Sequence, residues 1–302
     1  MSMTELDVYV YGMTVLSTIH LLKGDYPEVD TYQEIEQTFV IPGGEAANAA
    51  IVLRNLGLSV ALDACYLGDL TKIGIQDYFN ARDIDCSRMT HLPGFPGWRD
   101  LVLCDGKSRT VFGWFVQNLF GKERLWTVPS EELIQRSKCV ALDPFFGAES
   151  ELVAALCVKH QKDYVIIDCH WDSEIAQQAR VLVCSKEFIK REYADWNYVE
   201  LLEKYQSVCR GLVIFTFGGD EVMYISPAYE RRTFKPYSIE VVDTLGAGDT
   251  FRAGVVYAVL KGMLDDDVVR FASACAAVAC TRFPSVYEPP TLDEIEVLMS
   301  SR

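Results

Sequence analysis

Apolar and polar positions along the chain follow two alternating regimes, short continuous apolar runs and stretches of strict alternation. Residues 7–12 form a first apolar run and predict a strand that ends at a glycine turn. Over residues 14–41, most plainly from Thr31 to Val40, polar and apolar residues alternate, which predicts antiparallel strands with one exposed face. Pro42-Gly43-Gly44 then breaks the extended stretch, and residues 45–56 predict a helix stopped by Gly57. Ala46, Ala47, Ala49 and Ala50 make that helix narrow enough to pack tightly on a sheet.

A second strand is predicted over 60–67, ending at Gly68-Asp69, and a helix over 72–82. Residues 97–116 return to strand character, with Trp98, Leu101, Val102 and Leu103 before the Asp105-Gly106 turn and Thr110 to Phe115 after it. From residue 130 onward, apolar runs at 139–142, 165–167, 181–184 and 213–217 alternate with helical stretches. Continuous Val/Ile/Leu runs between helices predict a parallel sheet covered on both faces. Ile239, Val241 and Val242 predict a further strand before 243–249, and Phe251, Val255, Val256, Val259 and Leu260 a helix after it. Asp265-Asp266-Asp267 suits the start of a last long helix reaching about Cys280. The pattern is that of one α/β domain over 1–302, with strand pairs inserted at about 14–41 and 97–116. Those pairs can fold as a lid over the carboxyl ends of the parallel strands, where open α/β sheets bind ligands.

Composition narrows the chemistry. An apolar content of 50% over 302 residues supplies ample core. A net charge of −15 sets the chain against nucleic acid and anionic membrane surfaces as main partners. The ten cysteines are scattered, with no Cys-x-x-Cys pair, and read as buried thiols of a cytoplasmic protein. No basic and apolar signal segment opens the chain, and no apolar run approaches the roughly 18 residues that span a bilayer. His20, His91, His160 and His170 lack metal-ligand spacing.

The stretch Asp243-Thr244-Leu245-Gly246-Ala247-Gly248-Asp249 carries the most information. Gly246 and Gly248 let the backbone take positive φ, so successive N–H groups can point into one concavity at a helix start and receive phosphate oxygens. Asp249 would repel a polyphosphate unless it faces the other reactant, where it can take the proton of a hydroxyl about to attack phosphorus. The competing reading has Asp249 favouring the first helical turn through the macrodipole, with the glycines serving close packing. A nucleotide polyphosphate such as ATP, an anion in an acidic protein, would need this backbone turn and a bridging divalent cation such as Mg²⁺. At Gly43-Gly44, with Asn48 one helical turn later, a polyhydroxy compound can lie against the backbone while the Asn48 amide donates and accepts. Taken alone, that segment reads first as an ordinary strand-to-helix turn, with Asn48 simply polar.

The string 243–249, with Thr250-Phe251 after it, resembles the second signature of the ribokinase-like (PfkB) carbohydrate kinases. Gly-Gly-Glu-Ala-Ala-Asn at 43–48, followed by Leu56-Gly57 and Gly68-Asp69, resembles the first. Ser185-Lys186 and the wording of 241–251 are similar to the ketohexokinase branch. The resemblance implies a three-layer α/β sandwich, its mainly parallel central sheet flanked by helices, with a small β-strand lid. It implies ATP-dependent phosphorylation of a primary hydroxyl on a small sugar or sugar-like substrate, with Mg²⁺. Asp249 would be the base, and the N–H groups of Gly246, Ala247 and Gly248 the anion hole. Gly43, Gly44 and Asn48 would touch the sugar, Asp143 would hold a sugar hydroxyl, and Arg109 would lie near substrate. Thr216, Gly218, Gly219, Asp220, Ser185 and Ser273 would lie along ATP.

The resemblance has departures. Ser17 stands at the spacing after Gly12 where the family usually has an Asp, and Ser185-Lys186-Glu187-Phe188 replaces an Asn-x-x-Glu tied to metal and phosphates. Glu221 and Pro284 each stand where a glycine is usual. Cys280-Thr281-Arg282 matches a stretch that helps hold a monovalent cation, potassium, with Asp243. The apolar faces of the lid strands, including Trp98, Trp114 and Phe115, suit pairing in a homodimer. A catalytically weak or inactive sugar- or nucleotide-binding regulator descended from such a kinase is the competing functional reading. A dinucleotide-dependent oxidoreductase lacks the third glycine of its fingerprint, and no Walker string occurs.

Overall fold

The computed structural model describes residues 5–301. The apolar runs become β1 (Leu6–Gly12), β4 (Val60–Ala64), β7 (Ser137–Leu142), β8 (Asp163–Ile167), β9 (Val181–Ser185) and β10 (Leu212–Thr216). The alternating stretches become β2 (Val15–Leu22), β3 (Ile35–Gly43), β5 (Arg99–Cys104) and β6 (Arg109–Gly113), and an unanticipated hairpin supplies β11 (Val222–Ser226) and β12 (Tyr229–Phe234). The main sheet has the order β12-β11-β10-β9-β8-β7-β1-β4, parallel from β10 to β4, with the β11–β12 hairpin antiparallel at one edge. Helices Glu45–Asn55, Ala247–Leu260, Asp265–Ala279 and Leu292–Ser300 pack against one another as one flanking group; Glu131–Arg136, Ala148–Lys159 and Glu174–Gln178 form another. One continuous apolar core runs through the sheet and both groups.

The strand order reverses between β1 and β7: the chain winds outward to β4 on one side and from β7 to β10 on the other. At such a switch point the connections diverge and leave a crevice at the carboxyl ends of the strands. The Glu45–Asn55 helix packs against the Ala247–Leu260 helix, which also contacts β7, β8 and β9.

The two inserted strand pairs are one structure. β2 pairs antiparallel with β3 and parallel with β5, so the lid is a single four-stranded sheet in the order β3-β2-β5-β6. Ile19, Ile41, Val102 and Cys104 bury one lid face against Val286, Leu245 and Phe283, beside the 243–249 turn. The lid is thereby anchored to the segment it covers.

Several expectations are corrected. The predicted strand over 239–242 is irregular backbone: Val241 and Val242 are exposed, and the Val242 N–H donates to the Cys280 carbonyl (2.8 Å) rather than to a sheet neighbour. Ile239 and Val241 instead line a cavity, which accounts for their apolar character. β4 stops at Ala64, β3 runs through Pro42 to Gly43, and Phe115 begins a short helix, Phe115–Leu119. Trp98 does not sit on an outer lid face; it is 1% exposed, packed into the main core, and its indole N–H donates to the Leu125 carbonyl at 3.3 Å. Trp114, 47% exposed, does face outward. The ten cysteines are buried and free, and no described helix is long and apolar enough to cross a membrane.

These burial states predict unequal costs on truncation. Trp98→Ala should lower the unfolding free energy by about 3–5 kcal/mol. Trp114→Ala should cost about 1 kcal/mol or less. Urea titration of both variants beside the parent protein measures the difference.

Candidate active site

The 243–249 turn is fixed by its own first residue. Asp243 is buried, and its two carboxylate oxygens accept the N–H groups of Leu245 (2.9 Å) and Ser285 (3.0 Å). Gly246 takes φ 73°, and a Cβ there would lie 2.4 Å from Val286 Cγ1, so no other residue fits without displacing the lid anchor. The Thr250 N–H closes the first helical bond to the Gly246 carbonyl at 2.9 Å. The Ala247 N–H is not available as anticipated, because it donates to the Thr244 carbonyl at 3.2 Å. Among the described residues, the N–H groups of Gly246, Gly248 and Asp249 have no protein acceptor. The open part of the concavity is therefore 246, 248 and 249.

Asp249 is oriented from the neighbouring helix. Asn48 Nδ2 donates to Asp249 Oδ2 at 2.8 Å across 201 positions of sequence, which also fixes the amide's orientation. Burial raises the Asp249 pKa to about 6; the Asp143 and Asp168 carboxylates push the same way, and Arg252 and the Asn48 hydrogen bond oppose. Such a carboxylate is ionised at neutral pH yet a stronger base than an ordinary aspartate. Upstream, Gly44 takes φ 88°, with room for a Cβ denied by the Met13 carbonyl at 2.7 Å. The Ala46 N–H donates to that same carbonyl at 3.1 Å, so the Glu45–Asn55 helix starts directly on the end of β1.

Two cavities meet at the turn. One, of about 470 Å³, is bounded by Gly44, Asn48, Asp249, Asp100 of the lid and the apolar Phe115 and Phe145. The other, of about 490 Å³, is bounded by Thr216, Gly218, Gly219, Ser273 and an apolar wall that includes Tyr237 and Phe251. Arg109, Ser185, Glu187, Thr216, Thr244, Ala247 and Gly248 belong to both. Arg109 reaches across from β6, and its Nη1 donates to Thr244 Oγ1 at 2.6 Å. Ser185 caps the Lys186–Glu192 helix by accepting the Phe188 N–H at 3.1 Å, and its hydroxyl and N–H both donate to Asp168. A larger recess of about 660 Å³ lies around Arg99, Trp114 and Asn118 and contains none of the turn.

The model of the pfkB family carbohydrate kinases matches residues 6–291. The chain belongs to this family. It is 24% identical to a ribokinase of Haemophilus influenzae over 264 residues, 83% of this chain and 85% of that one. It is 26% identical to a nucleoside kinase of Methanothermobacter thermautotrophicus over 280 residues, 90% and 88% of the two chains. The structure of an Arabidopsis thaliana ribokinase complexed with ribose and ATP superposes with a TM-score of 0.81 at 15% identity, covering 98% of this chain and 99% of that one. That likeness establishes the fold.

Within this pfkB family member, several residues singled out from sequence serve as support. Asp143 does not line either cavity: it is wholly buried, paired with the equally buried Arg252, and its Oδ2 accepts the Met13 N–H at 2.7 Å. Ser17 is likewise buried behind the cavity wall, against Gly43, which itself pairs with Val15 in the lid. Asp220 is turned to solvent, where it meets Lys186 Nζ at 3.1 Å. Asp243 and the Cys280 carbonyl, anticipated as donors to a monovalent cation, each accept backbone N–H groups.

Other functional candidates were not evident in the sequence. Arg252 is the most consequential. Fully buried, it donates to Asp143, to the Glu45 carbonyl (2.5 Å) and to the Leu142 carbonyl (3.5 Å), joining the ends of β1 and β7 to both helix starts. A charged residue amid the apolar positions of a 14-residue helix was the available signal. Glu45, Asp100, Asp168 and Glu187 also line the smaller cavity, and none has a salt-bridge partner among the described residues. Asp168 has φ 43°, a left-handed conformation for a non-glycine residue at a strand end, and its carboxylate is committed to Ser185.

Removing one member of the Arg252–Asp143 pair strands a buried charge. Arg252→Met alone should cost about 3–5 kcal/mol of stability, and adding Asp143→Leu should recover part of it. Denaturant midpoints of the two variants test that order.

Proposed function

We propose that this chain transfers the γ-phosphoryl group of MgATP to a primary hydroxyl of a small sugar or sugar-like acceptor. The observation that carries the reading is the position of Asp249: a carboxylate of raised pKa at the acceptor cavity, next to unengaged backbone N–H groups where a second cavity joins. The acceptor occupies the cavity bounded by Gly44 and Asn48. The nucleotide occupies the other, with its base against the apolar wall and its phosphates running past Thr216, Gly218 and Gly219 towards the turn. Ser273, whose buried hydroxyl has no protein partner, supplies a polar contact there.

Asp249 takes the acceptor hydroxyl proton as its oxygen approaches phosphorus. The N–H groups of Gly246 and Gly248, at the positive end of the Ala247–Leu260 helix, receive charge on the transferring group. Arg109 brings a guanidinium from the lid to the junction, suited to phosphate oxygens. Mg²⁺ would neutralise the nucleotide phosphates when bound, and Glu187 is the carboxylate placed to hold it, through water. Among the described residues there is no group of three or more His, Cys, Asp or Glu side chains placed to hold a metal ion. The lid, anchored beside the turn, excludes water as a rival acceptor. The intact Asn48–Asp249 bond favours an enzyme over a regulator that only binds.

Asp249→Asn should lower acceptor-dependent ADP release by about 10²–10⁴-fold with the unfolding transition unchanged. The parent's kcat/KM should rise with pH through about 6, as Asp249 loses its proton, and then level off. A rate that is flat from pH 5 to 8 contradicts the assignment of the base.

A further inference from the structure

The acceptor cavity contains two buried oxygens that nothing in the protein satisfies. Asn48 is 6% exposed; with its nitrogen committed to Asp249, its Oδ1 is left buried and without a donor. Asp100, on lid strand β5, also presents a buried Oδ1 with no donor. Its register partner across the β2–β5 pair is Ser17, whose hydroxyl is the polar group facing the carboxyl, and no cationic side chain lies within salt-bridge distance of that carboxylate among the described residues. A buried acceptor left unmet is destabilising, and a fold sustains it where a ligand supplies the missing partner.

Both unsatisfied atoms are acceptors, so the ligand must bring donors: hydroxyl groups or an ammonium. The surrounding charge points the same way. Asp100, Asp168, Glu187 and Asp249 line this cavity against a single cation, Arg109, which is shared with the nucleotide cavity. A carboxylate or phosphate on the acceptor would meet this field with only Arg109, at the junction with the nucleotide cavity, to receive it. Away from the turn, Met13, Val15, Phe115 and Phe145 form an apolar stretch of wall that offers an anion no partner.

We infer that Asp100 determines acceptor specificity, and that the acceptor is a polyol that is neutral or amino-bearing, with no acidic group of its own. This rests on the phosphotransfer reading above and deepens it. Sequence reasoning passed over Asp100 because a polar residue in an alternating strand reads as the solvent face; the parallel β2–β5 pairing turns it inward instead.

The test measures ADP release from MgATP with matched acceptors that keep the same distal primary hydroxyl: glucose, glucosamine and gluconate, then ribose and ribonate. Parent protein, Asp100→Asn, Asp100→Ser and Asp249→Asn are compared, and the unfolding transition of each is recorded. Turnover is expected with aldoses or the aminosugar and not with the aldonic acids. The near-isosteric Asp100→Asn should raise the acceptor KM about 10- to 100-fold, with kcat and the KM for ATP little changed. It should also narrow the discrimination against the aldonic acid. An aldonic acid used as well as its aldose, or an acceptor KM unmoved in both folded Asp100 variants, overturns the inference. If that turnover still depends on Asp249, the phosphotransfer reading survives. If the parent releases no ADP with any acceptor, both fall together.

Discussion

The buried pair of Arg252 and Asp143 is the constraint on which the rest of the site depends. An arginine inside a core needs partners for its donors, and here a carboxylate and two backbone carbonyls meet the two Nη groups, while the buried Nε has no partner. Those partners come from the ends of β7 and the Glu45–Asn55 helix, while Asp143 also accepts the N–H that follows β1. One guanidinium therefore fixes the helix that carries Asp249 relative to the helix that carries Asn48. The Asn48–Asp249 hydrogen bond spans a distance that this pair has already set.

The site above the pair combines opposed electrostatic demands. The turn offers N–H groups at a helix start to an anion, within a protein of net charge −15. Carboxylates gather on the acceptor side, where they attract hydroxyl donors and raise one another's affinity for protons. Burial and the Asp249 and Asp143 charges push Glu45 up to about 8, so it is largely protonated at neutral pH and adds little negative charge. Asp249 stays lower, near 6, because Arg252 and Asn48 favour its ionised form. The two carboxyl groups thus differ in protonation at neutral pH, and the ionised one is the one placed to take a proton.

The segments whose chemistry is local were legible in the sequence. The 243–249 turn announces itself through small residues between an apolar stretch and a helix, and the 43–48 turn through paired glycines before alanines. The parallel strands were legible because burial on both faces leaves little but Val, Ile and Leu. What sequence could not convey depends on pairing across distance. Ile239 and Val241 read as a strand, yet their apolar side chains serve a cavity rather than a sheet. The fusion of two lid hairpins through β2 and β5 has no local signature, and it alone brings Asp100 inward while Trp98 sinks into the core. Asp143 was expected to touch substrate because it ends a strand at the crevice; its partner, Arg252, lies 109 residues away and takes it beneath the floor.

The central claim is that an alcohol of the acceptor rests against Asp249 while the terminal phosphate of the nucleotide rests against the neighbouring amides. A crystal structure with a non-hydrolysable ATP analogue, Mg²⁺ and an acceptor tests it most directly. The account predicts a primary hydroxyl oxygen within about 2.6–3.2 Å of an Asp249 oxygen, with the γ-phosphate against the Gly246 and Gly248 N–H groups. An acceptor bound in that cavity with every hydroxyl beyond reach of Asp249, or a γ-phosphate directed away from the turn, would contradict it.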